Sequence, residues 1–459
     1  MIRIILLALA AVFSLQGQDD KIDPQVSMAI RGGRSVPVLL LGQKQLLEGP
    51  QGFSDFCRKN SRSKRRELRA QLIVQLKKIA KAEQSVLREE LNLPKETQGL
   101  WVVNAVAVTL TPEAIRSAAK SKRVKYIYPA GTIPQGQGRG RVGTVLGKPA
   151  VRLFSTEGKT IPWNLKAVKA DQVWSKLKIT GQGSLVAMYD AGVDYTHEDL
   201  RENIWRNPGE MANNGKDDDG NGWVDDIYGF NFRLGSPEVK PNPVQAGRLQ
   251  HGTLTSGIVA GDGTGGTITG VAPRAKLMPL IGWGGLYGAA RVHEYALENG
   301  ADVMNMSFSI PNLGELRSHW RKVMEQGSFC GLFFVSGAGN FAQSARVPVQ
   351  MRTPEDIPEV VFAAAGVQRD LSRTPFSSRG PVEWKTEHYR DGRVQKPEVC
   401  AFNMGLPLLL PDGSLRPAAL NGNSFAGPMF CGAIALMLSA DPDLLPWDLK
   451  EIITSTATD

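Results

Sequence analysis

The chain has 459 residues, 42% hydrophobic and 22% charged, ordinary proportions that exclude a largely disordered or collagen-like protein. This length exceeds one average domain, so a main domain with a smaller companion is expected. The net charge of +9 is unevenly placed, +15 over residues 1–159 and −6 over residues 160–459, which argues against a nucleic-acid partner and for a basic segment docking on an acidic one.

In chain order, Arg3 is followed by an apolar run from Ile4 to Phe13 and a polar exit. That run is too short to span a bilayer, which takes about 20 residues, and it reads as a secretory signal over residues 1–17. No later segment is apolar enough to cross a membrane, so the mature product is expected to be secreted, extracellular or periplasmic, with no membrane partner. "SVPVLLLG" reads as a strand. Leu68, Leu72, Leu76, Ile79, Leu87 and Leu91 recur at helical spacing and predict one helix over residues 61–91. "LWVVNAVAVTL" then predicts a strand, "TPEAIRSAAKS" a helix capped by Thr111 with Pro112 at its first position, and "RVKYIYP" a strand. Residues 18–129 thus form a small α/β unit. Residues 130–159 are rich in Gly, Gln and Arg without apolar period and read as an exposed, protease-sensitive linker. From residue 160 the apolar strands "SLVAMYD", "CGLFFVSGAGN" and "VVFAAAGV" alternate with helical segments, among them "RVHEYALENG". This pattern predicts an α/β domain over residues 160–459, a doubly wound, mostly parallel sheet with helices on both faces.

Four cysteines, Cys57, Cys330, Cys400 and Cys431, lack metal-type spacing, and the last three sit in apolar text where a cysteine is usually a small buried hydrophobe. Export permits a disulfide, but no pairing follows from sequence. Ser424, in "NGNSFAGPMFCGAIAL", stands among small residues just before an apolar helix. A serine there is either an ordinary helix cap or a nucleophile. The second role needs a base and an orienting acid. Asp190 closes the strand "SLVAMYD", and reacting groups in parallel α/β domains gather at strand carboxyl ends. Of the five histidines, His251 alone heads a helix of small residues, "HGTLTSGIVAG".

"YDAGVDYTHEDL", "HGTLTSGIVAG", "SGAGN" and "GNSFAGP" resemble the aspartate, histidine, oxyanion-asparagine and serine blocks of the subtilisin-like serine proteases, the subtilases of peptidase family S8, in that family's chain order. "GVAPRAKLMPL", "TPFSSRGP" and the final "LKEIITSTATD" extend the resemblance over about residues 160–459. It implies a subtilisin-like fold and peptide-bond hydrolysis with no catalytic cofactor. Ser424 would attack the carbonyl, His251 would carry the proton, Asp190 would orient the imidazole, and Asn340 with the Ser424 N–H would stabilise the oxyanion. Protein or peptide substrates would lie along Ser307, Phe308 and Ser309 on one side and Ser336, Gly337, Ala338 and Gly339 on the other. Ser309 stands where the family commonly has Gly, and a narrower pocket mouth that disfavours the bulkiest side chains is expected. Members usually carry Thr after the acid, His-Val after "HGT" and Thr-Ser-Met around the nucleophile. This chain has Ala191, Leu254 with Thr255, and Asn423 with Phe425. These exchanges are expected to tune the enzyme and not to silence it.

The acidic loop "NNGKDDDGNGWVDD" places Asp217, Asp219 and Asn221 at alternating positions with Asp225 beyond, a set of oxygens suited to a structural calcium ion, although the EF-hand pattern is incomplete. Asp199 matches a family calcium ligand. The first third resembles the ferredoxin-like inhibitory and chaperone prodomain of subtilases, which makes the chain's own prodomain a partner and the chain a zymogen cut within residues 130–159. Two rival readings remain at this stage: a pseudoprotease scaffold whose altered neighbours have shut off turnover, and an ester hydrolase using the same acyl chemistry.

Overall fold

The computed structural model describes residues 20–46, 52–133, 140–148, 154–241, 250–282, 284–410, 413–416 and 420–458. The secretory-signal reading of residues 1–17 lies outside them. Two β-sheets organise the molecule. The first uses β1 (Val36–Gly42), β2 (Gln98–Leu100), β3 (Ala105–Leu110) and β4 (Val124–Pro129) in the order β2-β3-β1-β4, with every pair antiparallel. Helix α1 (Pro24–Ile30) packs on one face of it through Val26 and Ile30, and α2 (Gly52–Lys59) precedes the long helix α3 (Arg65–Glu90). In α3 the buried Leu68, Leu72, Leu76, Ala80 and Leu87 form one apolar stripe, the pattern of a helix packed along one face. Helix α4 (Pro112–Lys120) starts as expected, with the Thr111 hydroxyl accepting the Ala114 N–H at 3.3 Å.

One predicted strand is two. "LWVVNAVAVTL" folds back on itself, Leu100 facing Ala105 across a turn in which Asn104 has φ of 41°. Asparagine tolerates that left-handed conformation, and the apolar side chains of the turn hide it from a pattern based on hydrophobicity.

The second sheet has the order β13-β10-β9-β8-β5-β7-β6, and its pairings are parallel. Its strands are β5 (Leu185–Tyr189), β6 (Phe230–Asn231), β7 (Lys276–Ile281), β8 (Val303–Met306), β9 (Phe333–Gly337), β10 (Val361–Val367) and β13 (Val399–Phe402); β11 (Val382–Trp384) and β12 (Gly392–Val394) form a separate hairpin. Alternate residues of β5 enter two different cores. Leu185, Ala187 and Tyr189 join the cluster that includes helices α6 (Leu286–Glu298) and α7 (Leu316–Phe329). Val186 and Met188 join the one built with α5 (His251–Ala260) and α8 (Ala426–Ala440). The sheet is therefore covered on both faces, which is why its strands are apolar throughout. Among the described residues no helix is long and apolar enough to cross a membrane.

The first unit seats on α6 and α7. Arg65 is buried against Asp302 at 2.6 Å, and Arg69 donates to the carbonyls of Cys330 and Ala301, both at 2.7 Å. Cations on the last carbonyls of a helix are favoured by its dipole. Glu294 answers from the other side, accepting the N–H groups of Trp101 and Val102. Most described linker residues are exposed, and residues 134–139 and 149–153 lie outside the described residues; Ala130 and Val142 are buried, and Val142 exchanges hydrogen bonds with the Asn213 side chain at 2.9 and 3.1 Å. The cysteines are all free, and Cys400 is exposed, against its apolar text. Arg65→Ala would leave Asp302 with an unpaired buried charge, so denaturant unfolding of the full chain is expected to show a loss of about 3 kcal/mol.

Candidate functional site

β5 ends at Tyr189, and Asp190 follows at the carboxyl edge of the sheet, its N–H bonded to the Leu280 carbonyl at 3.1 Å. His251 is the first residue of α5. The helix start can approach only because residue 252 has no side chain: a methyl on Gly252 would lie 2.2 Å from the Gly192 carbonyl and 3.1 Å from Asp190 Cβ. The approach puts His251 Nδ1 2.9 Å from both carboxylate oxygens of Asp190. The carboxylate is further held by the Ala191 N–H at 2.7 Å and by the Thr255 hydroxyl at 3.2 Å. Thr255 lies one turn from His251 on the same helix face, so spacing alone could have singled it out. It supplies a hydroxyl near the acid where Ala191 cannot.

Burial lowers the pKa of His251, but the charge of Asp190 and its hydrogen bond outweigh this and hold it above its ordinary value of 6.5. The sign matters twice. The stability given by the pair is fully present below pH 6.5 and is lost as the pH rises through the raised value. Proton-accepting capacity follows the opposite course, appearing as the imidazole becomes neutral.

Ser424 precedes α8 by two residues. Among the described residues its Oγ bonds to the Ser307 carbonyl at 3.4 Å and not to His251. Such bonds are often long in a free site and tighten around a substrate. Its carbonyl accepts the Ser307 hydroxyl at 3.0 Å, tying the turn to the end of β8. Asn340 is exposed, and its Oδ1 accepts the Asn423 N–H at 2.8 Å, which leaves Nδ2 to face outward. A methyl on Gly422 would sit 3.5 Å from Asn340 Nδ2 and 3.8 Å from Ser424 N, so the two donors converge on one region. Asn423 is itself buried, with Nδ2 on the Gly339 carbonyl at 2.6 Å and Oδ1 accepting from Asn403 Nδ2 at 2.7 Å. The expected cleft residues divide. Ser307, Phe308 and Ser309 follow the end of β8, whereas Ser336, Gly337 and Ala338 are buried at the end of β9, where the Ser336 hydroxyl holds the Met306 carbonyl at 2.8 Å. Gly339 follows with φ of 88°. Gly337 cannot carry a side chain, since a methyl there would meet the Asn423 carbonyl at 2.1 Å. Chemically, a carboxylate-held imidazole, a nearby hydroxyl and two converging donors are the parts of an acyl-transfer site.

The acidic loop differs from its expected ligand set. Carboxylate oxygens of Glu210, Asp219 and Asp226 lie within 4.8 Å of one another. Asp225 instead accepts the N–H groups of Asn214 and Gly215 at 2.9 and 3.0 Å, and Asp217 those of Asn221 and Gly222 at 3.0 and 2.9 Å. Asn221 does join the cluster, through Nδ2 on Asp219 and Asp226 at 3.1 Å each. Glu210 Oε2 is buried without a partner among the described residues, and burial raises the Glu210 carboxyl to about 7 and Asp226 to about 6. Such a group fits a hard cation. The alternating pattern missed Glu210, seven residues upstream of Asp217. Asp199 sits apart from this cluster, bonded to the Gly265 N–H at 2.9 Å and raised by burial.

Residues 181–459 match the profile of a family described as the subtilase family. Subtilisin E of Bacillus subtilis (strain 168) is 25% identical over 78% of this chain and 76% of its own length. Subtilisin-like protease 1 of Plasmodium vivax is 26% identical over 65% of this chain, which spans 48% of that relative. A crystal structure of a cold adapted subtilisin-like serine proteinase is 18% identical, with a TM-score of 0.46 over 61% of this chain and 84% of that one. A rate that needs neutral His251 is expected to fall on the acid side with a midpoint above pH 6.5. Thr255→Val is expected to lower the plateau kcat/KM about fivefold, the worth of one hydrogen bond; one pH–rate profile of the two proteins checks both.

Proposed function

We propose a function from one premise: this chain belongs to the subtilase family. It is a serine-type endopeptidase that hydrolyses peptide bonds of protein substrates. Ser424 attacks the carbonyl, His251 takes its proton and returns it to the departing amine, and Asp190 keeps Nδ1 protonated and stabilises the imidazolium. Asn340 Nδ2 and the Ser424 N–H receive the oxyanion. The observation that carries this reading is the 2.9 Å contact of His251 with both oxygens of Asp190, made at the strand carboxyl ends beside the Ser424 turn. An ester would satisfy the same chemistry, but a strand-like segment at Ser307–Ser309, following β8, is suited to an extended peptide.

The protein is made as a zymogen and exported. Supporting this are the Arg3 and Ile4–Phe13 start, the basic first unit seated on α6 and α7, and its tail. There the Tyr287 N–H donates to the Ala130 carbonyl at 3.0 Å and the Thr132 N–H to the Gly284 carbonyl at 2.6 Å. This unit acts as an intramolecular inhibitor, and cleavage within residues 130–159 releases it. One observation favours the second reading, a scaffold without turnover: Ser424 Oγ rests on Ser307 and not on His251. A fluorophosphonate probe separates the two. The secreted protein is expected to be labelled at Ser424, and Ser424→Ala to be secreted uncut and unlabelled; an unlabelled, folded wild type supports the scaffold.

Calcium is structural in this reading, held by Glu210, Asp219 and Asp226, with Asp199 belonging to a separate place beside the residue 262–269 loop. It binds the folded state and slows unfolding. At calcium about 100-fold above its Kd, removal by chelator is expected to cost about 2.7 kcal/mol, read as a lower Tm. Asp226→Asn is expected to abolish that difference.

A further inference from the structure

The carboxyl of Glu355 lies between the two segments that flank the cleft. Its Oε1 accepts the Ser309 hydroxyl at 2.7 Å and the Arg352 N–H at 3.0 Å, and a methyl on Gly339 would meet it at 2.8 Å. The residue is 0% exposed, and Oε2 has no partner among the described residues. Among the described residues no cation answers it. The Arg352 guanidinium lies 3.4 Å above the Phe341 ring, and Arg317 is paired with Asp356 at 3.1 Å. A buried carboxyl with a free acceptor and no counter-charge is costly. Burial accordingly pushes Glu355 up to about 8, and the neighbouring Asp356 adds to that rise.

Building on the endopeptidase reading, we propose that Glu355 is the specificity-determining group for the side chain preceding the cut, and that it selects lysine or arginine there. A long cationic side chain that reaches Glu355 from the cleft brings the charge and the donors that Oε2 lacks, and it favours the ionised carboxylate. Ser309 holds Oε1 and leaves Oε2 as the acceptor. An aliphatic or aromatic side chain in that place leaves the acceptor unsatisfied, a difference that discriminates far better than a change of apolar volume.

The test uses the secreted enzyme and fluorogenic peptides that differ only in the residue before the cut: Arg, Lys, Gln, Leu or Phe. Fluorophosphonate titration first counts reactive Ser424. The Arg and Lys peptides are expected to show kcat/KM at least about 30-fold above Leu and Phe. Glu355→Gln is expected to lower Arg and Lys cleavage about 100-fold and to leave Leu within about threefold. Benzamidine should compete with substrate in the wild type only. Ser309→Ala, which removes the hydroxyl on Oε1, should reduce the Arg preference about fivefold, and it serves if Glu355→Gln does not fold. A wild-type preference for Leu, Phe or Gln, or an Arg-to-Leu ratio unchanged in Glu355→Gln, overturns the proposal while labelled Ser424 keeps the endopeptidase reading. Absence of labelling overturns both.

Discussion

A carboxylate can govern an imidazole only if two pieces of chain 61 residues apart come together at backbone distance. Here the end of a central strand and the first turn of α5 do so, and the space between them is too small for even a methyl group at Gly252. Everything else in the proposed reaction hangs on this contact. It sets which imidazole nitrogen carries the proton, and it raises the proton affinity of the other. The small residues of "HGTLTSGIVAG" are thus a requirement of approach. Thr255 adds the hydroxyl that the residue after the acid does not provide, so the acid keeps a comparable environment by a different route.

The interface between the two sheets follows from helix ends. Arg65 and Arg69 reach carbonyls that no helix can satisfy internally, at Gly331, Cys330 and Ala301, while Glu294 takes amide groups left open by the hairpin turn at Trp101 and Val102. Phe53 and Phe56 close the seam against Phe329, with ring centroids 5.1 and 4.1 Å apart. The opposite charges of the two chain segments therefore meet through directed hydrogen bonds as well as through a diffuse field.

The parallel sheet was legible because its strands are buried on both sides and read as unbroken apolar runs. The helix over residues 61–91 was legible from its leucine spacing, to within a few residues at its start. Asp190, His251 and Ser424 could be singled out because each stands at the edge of an element with small neighbours. What failed to show has physical causes. The turn at Asn104 is made of apolar residues because it packs against another element. Glu210 and Asp226 meet only after the acidic loop folds, and the regular spacing of Asp217 and Asp225 serves amide groups of the loop itself. Glu355 sits beside Asp356 in "RTPEDIPEV", where nothing in the local pattern separates it from a solvated turn.

The bond from the Asn423 N–H to Asn340 Oδ1 carries one more consequence. A terminal amide can ordinarily turn end for end, presenting either its oxygen or its nitrogen to a visitor. Pinned by a backbone donor, this one cannot, and the Asn423 side chain is in turn anchored by Gly339, Ser377 and Asn403. The mouth of the cleft thus keeps a permanent electrical sense. In the proposed reaction that sense suits the negative end of an incoming carbonyl before any bond has stretched, a preorganisation completed during folding.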